Sequence, residues 1–146
     1  MARRPDLGLH DRLAGMAKFV ALFEKRGFSL ARMISPPTRE TPEAIIFTAP
    51  YCELDPDAQR FIEEAYRLRW VLPGFDWSAW SKTAEAHALQ NPGETLTLAS
   101  PQQLEKLVTM LMRQEHWSEG SLLEAFNAGL LIAIVKRMAT LINEIR

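Results

Sequence analysis

The chain has 146 residues, 47% hydrophobic and 24% charged, with a formal net charge of −1. That length and balance suit one globular domain with a single core, and exclude a disordered or collagen-like chain. A near-neutral total gives no bulk electrostatic drive toward nucleic acid or an anionic membrane.

Asp11 to Arg26 reads as the first helix. Leu13, Met16, Ala17, Val20 and Phe23 share one face, Phe19 and Leu22 widen it, and Gly27 suits the position just past the helix end. Residues 28–43 carry Pro36, Pro37 and Pro42 and read as a loop. Ala44-Ile45-Ile46-Phe47-Thr48 is the one stretch with strand character, either laid on the core or one arm of a small hairpin. Asp55-Pro56 opens the second helix as cap and first residue, with Ala58, Phe61, Ile62, Ala65 and Leu68 as its buried stripe. After Pro73-Gly74, Asp76 caps a short helix to about Ala88 that carries Trp77 and Trp80 on one face. Asn91-Pro92-Gly93 is a turn. Ser100-Pro101 starts a helix to about Glu115, striped by Leu104, Leu107, Val108, Leu111 and Met112. Its phase places Glu115 toward the stripe and Met110, Arg113 and Trp117 opposite. Ser118 begins a helix through Leu122, Leu123 and Phe126. Gly129 interrupts it, and Leu131, Ile134, Val135, Met138, Leu141, Ile142 and Ile145 form a last, long stripe. The expected fold is all-α: a single compact domain over 1–146, a bundle of five or six helices with the C-terminal one central. It has at most one short extended or hairpin segment near 44–48.

Charge is unevenly spread. Residues 1–39 carry eight Lys/Arg against three acids, residues 40–99 four against ten, and residues 100–146 five against five. The N-terminal helix is expected to lie across the acidic middle of its own fold, with a basic patch for an acidic partner as the alternative. Cys52 is the single cysteine, which rules out an internal disulfide and points to a reducing, cytoplasmic setting. No apolar h-region follows Ala2-Arg3-Arg4, so no signal peptide is expected, and no apolar run reaches the ~20 residues of a membrane span.

Few residues suggest chemistry. His10, His87 and His116 lack partners at ligand spacing, so no metal or other cofactor is expected. No nucleophile elbow, Walker or dinucleotide-binding pattern is present. Cys52 reads as a small buried thiol, although a pair with His87 or His116 is conceivable. Ala125, Gly129 and Val135 match a helix-turn-helix. That arrangement would turn Leu131, Ile132, Ala133, Lys136 and Arg137 to the major groove, and three of these five are aliphatic. A carboxylate at Glu115 on a buried face needs a partner. Arg113 paired with Glu115 or Glu119 would brace the turn, or would hold an anionic ligand. Phe75, Asp76, Trp77 and Trp80 read first as core, with a binding face as the alternative.

Leu104 to Gly120, then Leu122, Phe126, Gly129-Leu130-Leu131 and Lys136-Arg137, resembles the C-terminal signature of an uncharacterised domain family of bacteria and their phages. That signature is a leucine-rich helix ending in Thr-x-x-x-Arg (Thr109 to Arg113), a turn closing in Glu119-Gly120, and a helix with a central glycine. Phe75-Asp76-Trp77 with Trp80 resembles the family's Phe-Asp-Trp-x-x-Trp element. The resemblance spans roughly residues 55–140, with His116-Trp117 where the family favours Arg-Phe. It implies a compact, mostly helical domain and no particular reaction. Some members look associated with ADP-ribose-binding domains or mobile elements.

The function expected first is a small non-catalytic binding or regulatory protein that contacts another protein, or itself as a homodimer. A phage- or mobile-element-encoded modulator of a host system fits that description. The alternative is an anion- or nucleotide-binding accessory or enzyme with a pocket near Arg113 and Asp76. DNA binding ranks last. Candidate partner- or ligand-binding residues are Arg113, Glu115, His116, Trp117, Glu119, Asp76, Trp77 and Trp80; no catalytic or metal residue is named. The turn after the long helix is the expected site, with Asp76-Trp77 as its neighbour.

Overall fold

The structure, a computed structural model, describes residues 8–46, 49–91 and 93–145. In chain order the elements are α1 (Leu9–Ala17), α2 (Phe19–Glu24), β1 (Ala31–Ile34), β2 (Arg39–Glu40), β3 (Ile45–Ile46), β4 (Tyr51–Leu54), α3 (Pro56–Arg67), α4 (Trp77–Trp80), α5 (Ala84–Gln90), α6 (Glu94–Thr97), α7 (Pro101–Trp117), α8 (Ser121–Asn127) and α9 (Leu130–Glu144). The domain is mostly helical but not all-α, and its helical segments outnumber the five or six expected. Two expected helices are each divided. Lys18 separates α1 from α2 while keeping right-handed dihedrals, φ −61° and ψ −20°. Thr83 caps α5 by accepting the Ala86 N–H, which separates α5 from α4. The short α6 carries no sequence stripe and was not expected.

The loop expected over 28–43 is instead half of a β-hairpin. β1 pairs antiparallel with β4 and β2 with β3. Ala31 faces Leu54 and Arg39 faces Ile46, so partner numbers add to one value in both ladders and the two form a single ribbon in one register. Pro36, Pro37 and Pro50 fall in the interval between the ladders, where residues without an N–H cannot continue the pairing. Thr41 closes the tip: its hydroxyl donates to Ala44 O at 2.9 Å and its N–H to the same oxygen at 2.8 Å. The strand expected over 44–48 is therefore β3, with Phe47 and Thr48 outside the described residues. The turn expected at 91–93 also includes such a residue, Pro92.

Helix starts follow the sequence closely. Asp55 accepts the Asp57 N–H at 2.8 Å ahead of Pro56. Ser100 and Gln103 form a reciprocal capping box: Ser100 Oγ accepts the Gln103 N–H at 3.1 Å, and Gln103 Oε1 accepts the Ser100 N–H at 2.9 Å. Gly27, Gly120 and Gly129 take positive φ where helices end or begin.

The core gathers on α9, which touches α1, α2, α6, α7 and α8. Leu131, Ile134, Val135, Met138 and Leu141 are buried as expected, whereas Ile142 is half-buried and Ile145 more exposed. The stripe of α7 is buried too. Met110, expected on its outer side, is fully buried along with Thr109, because α7 is covered on more than one face. Phe23 meets Phe61 and Phe126 edge-on, at 5.1 and 5.5 Å between ring centroids, joining α2, α3 and α8. The basic N-terminal helix does meet acidic residues of the fold. Lys18 lies 3.5 Å from Glu64, and Arg12 lies 3.7 Å from Glu105.

Candidate functional site

The last turn of α7 carries Glu115, half-buried as its phase requires. Its partner is backbone: both carboxylate oxygens accept the Gly120 N–H, at 2.9 and 3.2 Å. Gly120 stands at the N-cap of α8 with φ 96° and no side chain to cap it, so Glu115 supplies the anion that a helix start favours. Burial pushes the Glu115 pKa up, the amides of Gly120, Leu122 and Ser121 pull it down, and the charge of Glu119 adds to the rise. Glu119 is exposed and accepts the Cys52 N–H of β4 at 3.2 Å. The Cys52 thiol is pushed up by burial first and then by Glu115 and Glu119, which disfavours the nucleophilic thiolate.

The expected ion pair of Arg113 with Glu115 or Glu119 does not form among the described residues. Residues two apart on a helix point away from each other, and each glutamate accepts from a backbone amide instead. His116 and Trp117 are exposed, their rings edge to face at 5.4 Å, and Trp117 is 78% exposed. The hydrogen bonds of this turn run to α8 and to β4, not to Asp76-Trp77.

The Phe75–Trp80 stretch is largely structural. Asp76 is exposed and caps α4 by accepting the Ala79 N–H at 3.1 Å. Trp77 is half-buried against the core. Trp80 is buried, and its indole N–H donates to Glu85 Oε1 at 2.8 Å. That bond, ahead of the other influences, holds the Glu85 carboxyl below its ordinary value.

Arg113 instead lines a cleft of about 610 Å³ whose walls include neither Asp76 nor either indole. Among the described residues, Arg12, Arg69 and Glu105 provide its other charged groups, and Tyr66, Val71, Leu72 and Pro73 its apolar part. The cleft is built around the end of α3. Arg69 N–H bonds Tyr66 O and Trp70 N–H bonds Ala65 O, a helix-ending motif whose left-handed position normally holds glycine. Here that position is Arg69, with φ 62°, the one non-glycine residue of positive φ among those described. Arg12 of α1 clamps the same helix end. Its Nε donates to Leu68 O at 2.8 Å and its Nη2 to Arg69 O at 2.9 Å, its guanidinium lies 4.5 Å over the Trp70 ring, and the Trp70 indole donates to Arg12 O at 3.1 Å. Thr109 fixes the far wall by accepting the Leu72 N–H at 2.8 Å.

Sequence periodicity gave no sign of Arg12, Tyr66, Arg69 or Glu105 as a group, since they come from three separated stretches. The Thr109-x-x-x-Arg113 spacing does put both residues on the cleft side of α7. Among the described residues no cluster of three or more His, Cys, Asp or Glu side chains is placed to hold a metal ion. No single helix there is long and apolar enough to cross a membrane.

The model of one family, described as a family of unknown function (DUF6508), matches residues 9–144. The chain belongs to this family. The DUF6508 match begins at the first residue of α1 and ends at the last of α9, so it takes in the hairpin, the turn and the cleft alike. It is wider than the resemblance read over 55–140. No curated protein and no solved structure matches the chain.

Proposed function

We propose that this DUF6508 protein is a small, non-catalytic binding protein that works through protein–protein contacts, with the hairpin and the α7–α8 turn as its contact surface. The observation that carries the proposal is the concentration of large exposed apolar side chains there. Met33 is 66% exposed, Ile45 70% and Trp117 78%, with Ile46 and Tyr51 also in water. Apolar side chains gathered this way favour a partner that covers them.

The occupant we infer is an extended strand of another protein, added to the outer edge of β1. Cys52 directs its N–H away from β1, toward Glu119. Its register partner Met33 therefore directs its own N–H and C=O outward as well. Glu119 covers the β4 edge, and the Ser29 hydroxyl takes Ala31 O on the β1 edge, which leaves the exposed Met33 of β1 to receive a strand. A second copy of the chain is the other source of such a strand. The cytoplasmic setting, and a phage- or mobile-element-encoded modulator of a host system, are finer forms of the same proposal. They rest on the lone cysteine and on the motif resemblance.

The test is the double variant Ile45→Asp, Ile46→Asp. Both side chains are exposed, so stability should change by no more than about 0.5 kcal/mol. Quantitative affinity capture from the source cell should lose a specific partner relative to the unmodified chain. Amides of β1 should gain hydrogen-exchange protection in the purified complex. Light scattering identifies self-association if the unmodified chain dimerises and the variant does not. Identical capture by the two proteins, or protection that spares β1, sinks the proposal.

A further inference from the structure

We propose that the cleft between α1, the end of α3 and α7 is a binding site for a small phosphate-bearing organic anion, independent of the hairpin surface. Arg113 carries the argument. It is half-buried, yet its guanidinium makes no hydrogen bond or ion pair among the described residues. Partial burial takes hydration from a cation, and nothing visible on the protein side compensates. Two other cations drawn out of water, half-buried Arg12 and buried Arg137, are answered. Arg12 has two carbonyls, an indole face and Glu105; Arg137 has the Ala99 carbonyl and Glu144.

The neighbours of Arg113 favour an anion and narrow its chemistry. Arg12 is held rigid by its clamp on Leu68 and Arg69, and its Nη1 is left over by those hydrogen bonds. A planar guanidinium fork matches two oxygens of one anion. A carboxylate has only those two, whereas a phosphate monoester brings a third oxygen for Arg12. Glu105 lies 3.7 Å from Arg12 Nη2 and is the one carboxylate lining the cleft among the described residues. It opposes an anion and sets a ceiling on affinity. Tyr66 and Leu72 give an apolar wall, and a volume of about 610 Å³ exceeds what inorganic phosphate needs. That size lies within the range of roughly 300–1,000 Å³ typical of small-molecule sites. The ligand class is therefore a phosphate monoester with a compact apolar or planar body. Arg69, in a left-handed conformation that would suit glycine better, brings its long cationic side chain to the same wall.

The test is calorimetric titration of the full chain with phenyl phosphate, inorganic phosphate and benzoate at low salt. Phenyl phosphate should bind saturably at one site, with benzoate and inorganic phosphate each weaker by about tenfold or more, the value of one or two charge-assisted hydrogen bonds or a ring contact. Arg113→Gln should reduce phenyl phosphate affinity by a similar factor. Because Arg113 makes no bond among the described residues, this variant should fold, which circular dichroism checks. If it does not, the Arg113 Nε–H resonance of the unmodified chain decides the matter. It should shift on adding phenyl phosphate while that of buried Arg137 stays still. Tyr66→Ala should lower the preference for phenyl phosphate over inorganic phosphate. Absence of saturable binding, equal affinity in Arg113→Gln, or an unmoved Arg113 resonance overturns the proposal.

Discussion

Glu64 and Glu115 are both partly buried carboxylates, yet their surroundings push them in opposite directions. Hydrogen bonds from Arg67, at 2.8 and 2.7 Å, hold Glu64 below the ordinary carboxylate value. Burial pushes Glu115 above it. An acid that binds its proton more tightly when folded favours the fold while protonated. Glu115 thus contributes stability that is complete below the ordinary value and is lost as pH rises through its raised folded value. Glu64 contributes stability that is present above the ordinary value and is lost as pH falls through its lowered one. In urea titrations at stepped pH, the stability of the unmodified chain relative to Glu115→Gln should fall from about pH 4 toward neutrality. Relative to Glu64→Gln it should rise between about pH 3 and 5. Parallel curves in the first comparison would mean that Glu115 is as solvated folded as unfolded. The burial of Glu115 was legible in the phase of α7. Its backbone partner was not, because nothing local says that the chain turns back five residues later to offer the Gly120 N–H.

At the scale of elements, the helix starts were legible, and of the hairpin only the arm near 44–48 was. Caps are local chemistry: Asp55-Pro56 and Ser100-Pro101 satisfy orphan N–H groups with side chains two or three residues away. Ser100→Ala removes one half of the capping box and should lower the unfolding free energy by about 1 kcal/mol, read as a smaller denaturant midpoint with unchanged slope. No change would show that Gln103 alone holds the start of α7. The pairing of β1 with β4 was hidden because residues 35–50 lie between them and β1 carries no clean alternation. Arg32 and Met33 of β1 are exposed, and Tyr51 and Glu53 of β4 are exposed, so the apolar–polar contrast that marks a half-buried strand is weak. Prolines that argue against a strand mark, in the fold, the gap between two ladders.

At the scale of the whole molecule, Arg12 ties three elements together. It reaches from α1 to the last carbonyls of α3 and to Glu105 of α7. Arg12→Ala would leave two carbonyls without their charged donor and uncover the Trp70 face. The expected loss is about 2–3 kcal/mol, seen as a lower urea midpoint. A loss under about 0.5 kcal/mol would show that water replaces the guanidinium freely at the end of α3. Gly15 belongs to the same junction. A Cβ there would overlap the buried Leu68 side chain, so the residue is small for packing and not for a turn.

What the sequence determined by itself was periodic or local. The apolar stripes of α3, α7 and α9, their caps, the central place of the C-terminal helix and the inward phase of Glu115 all follow from neighbours within a few residues. Tertiary structure alone decided which distant groups meet. It paired β1 with β4, brought Arg12 into the cleft that Arg113 lines, and buried Arg137 against Ala99 where a groove-reading helix would have freed it. The reason is that polar side chains and backbone edges have no period. Their partners are fixed by how the apolar faces close, and only then does a turn that began as one helix end become joined to a hairpin at Cys52.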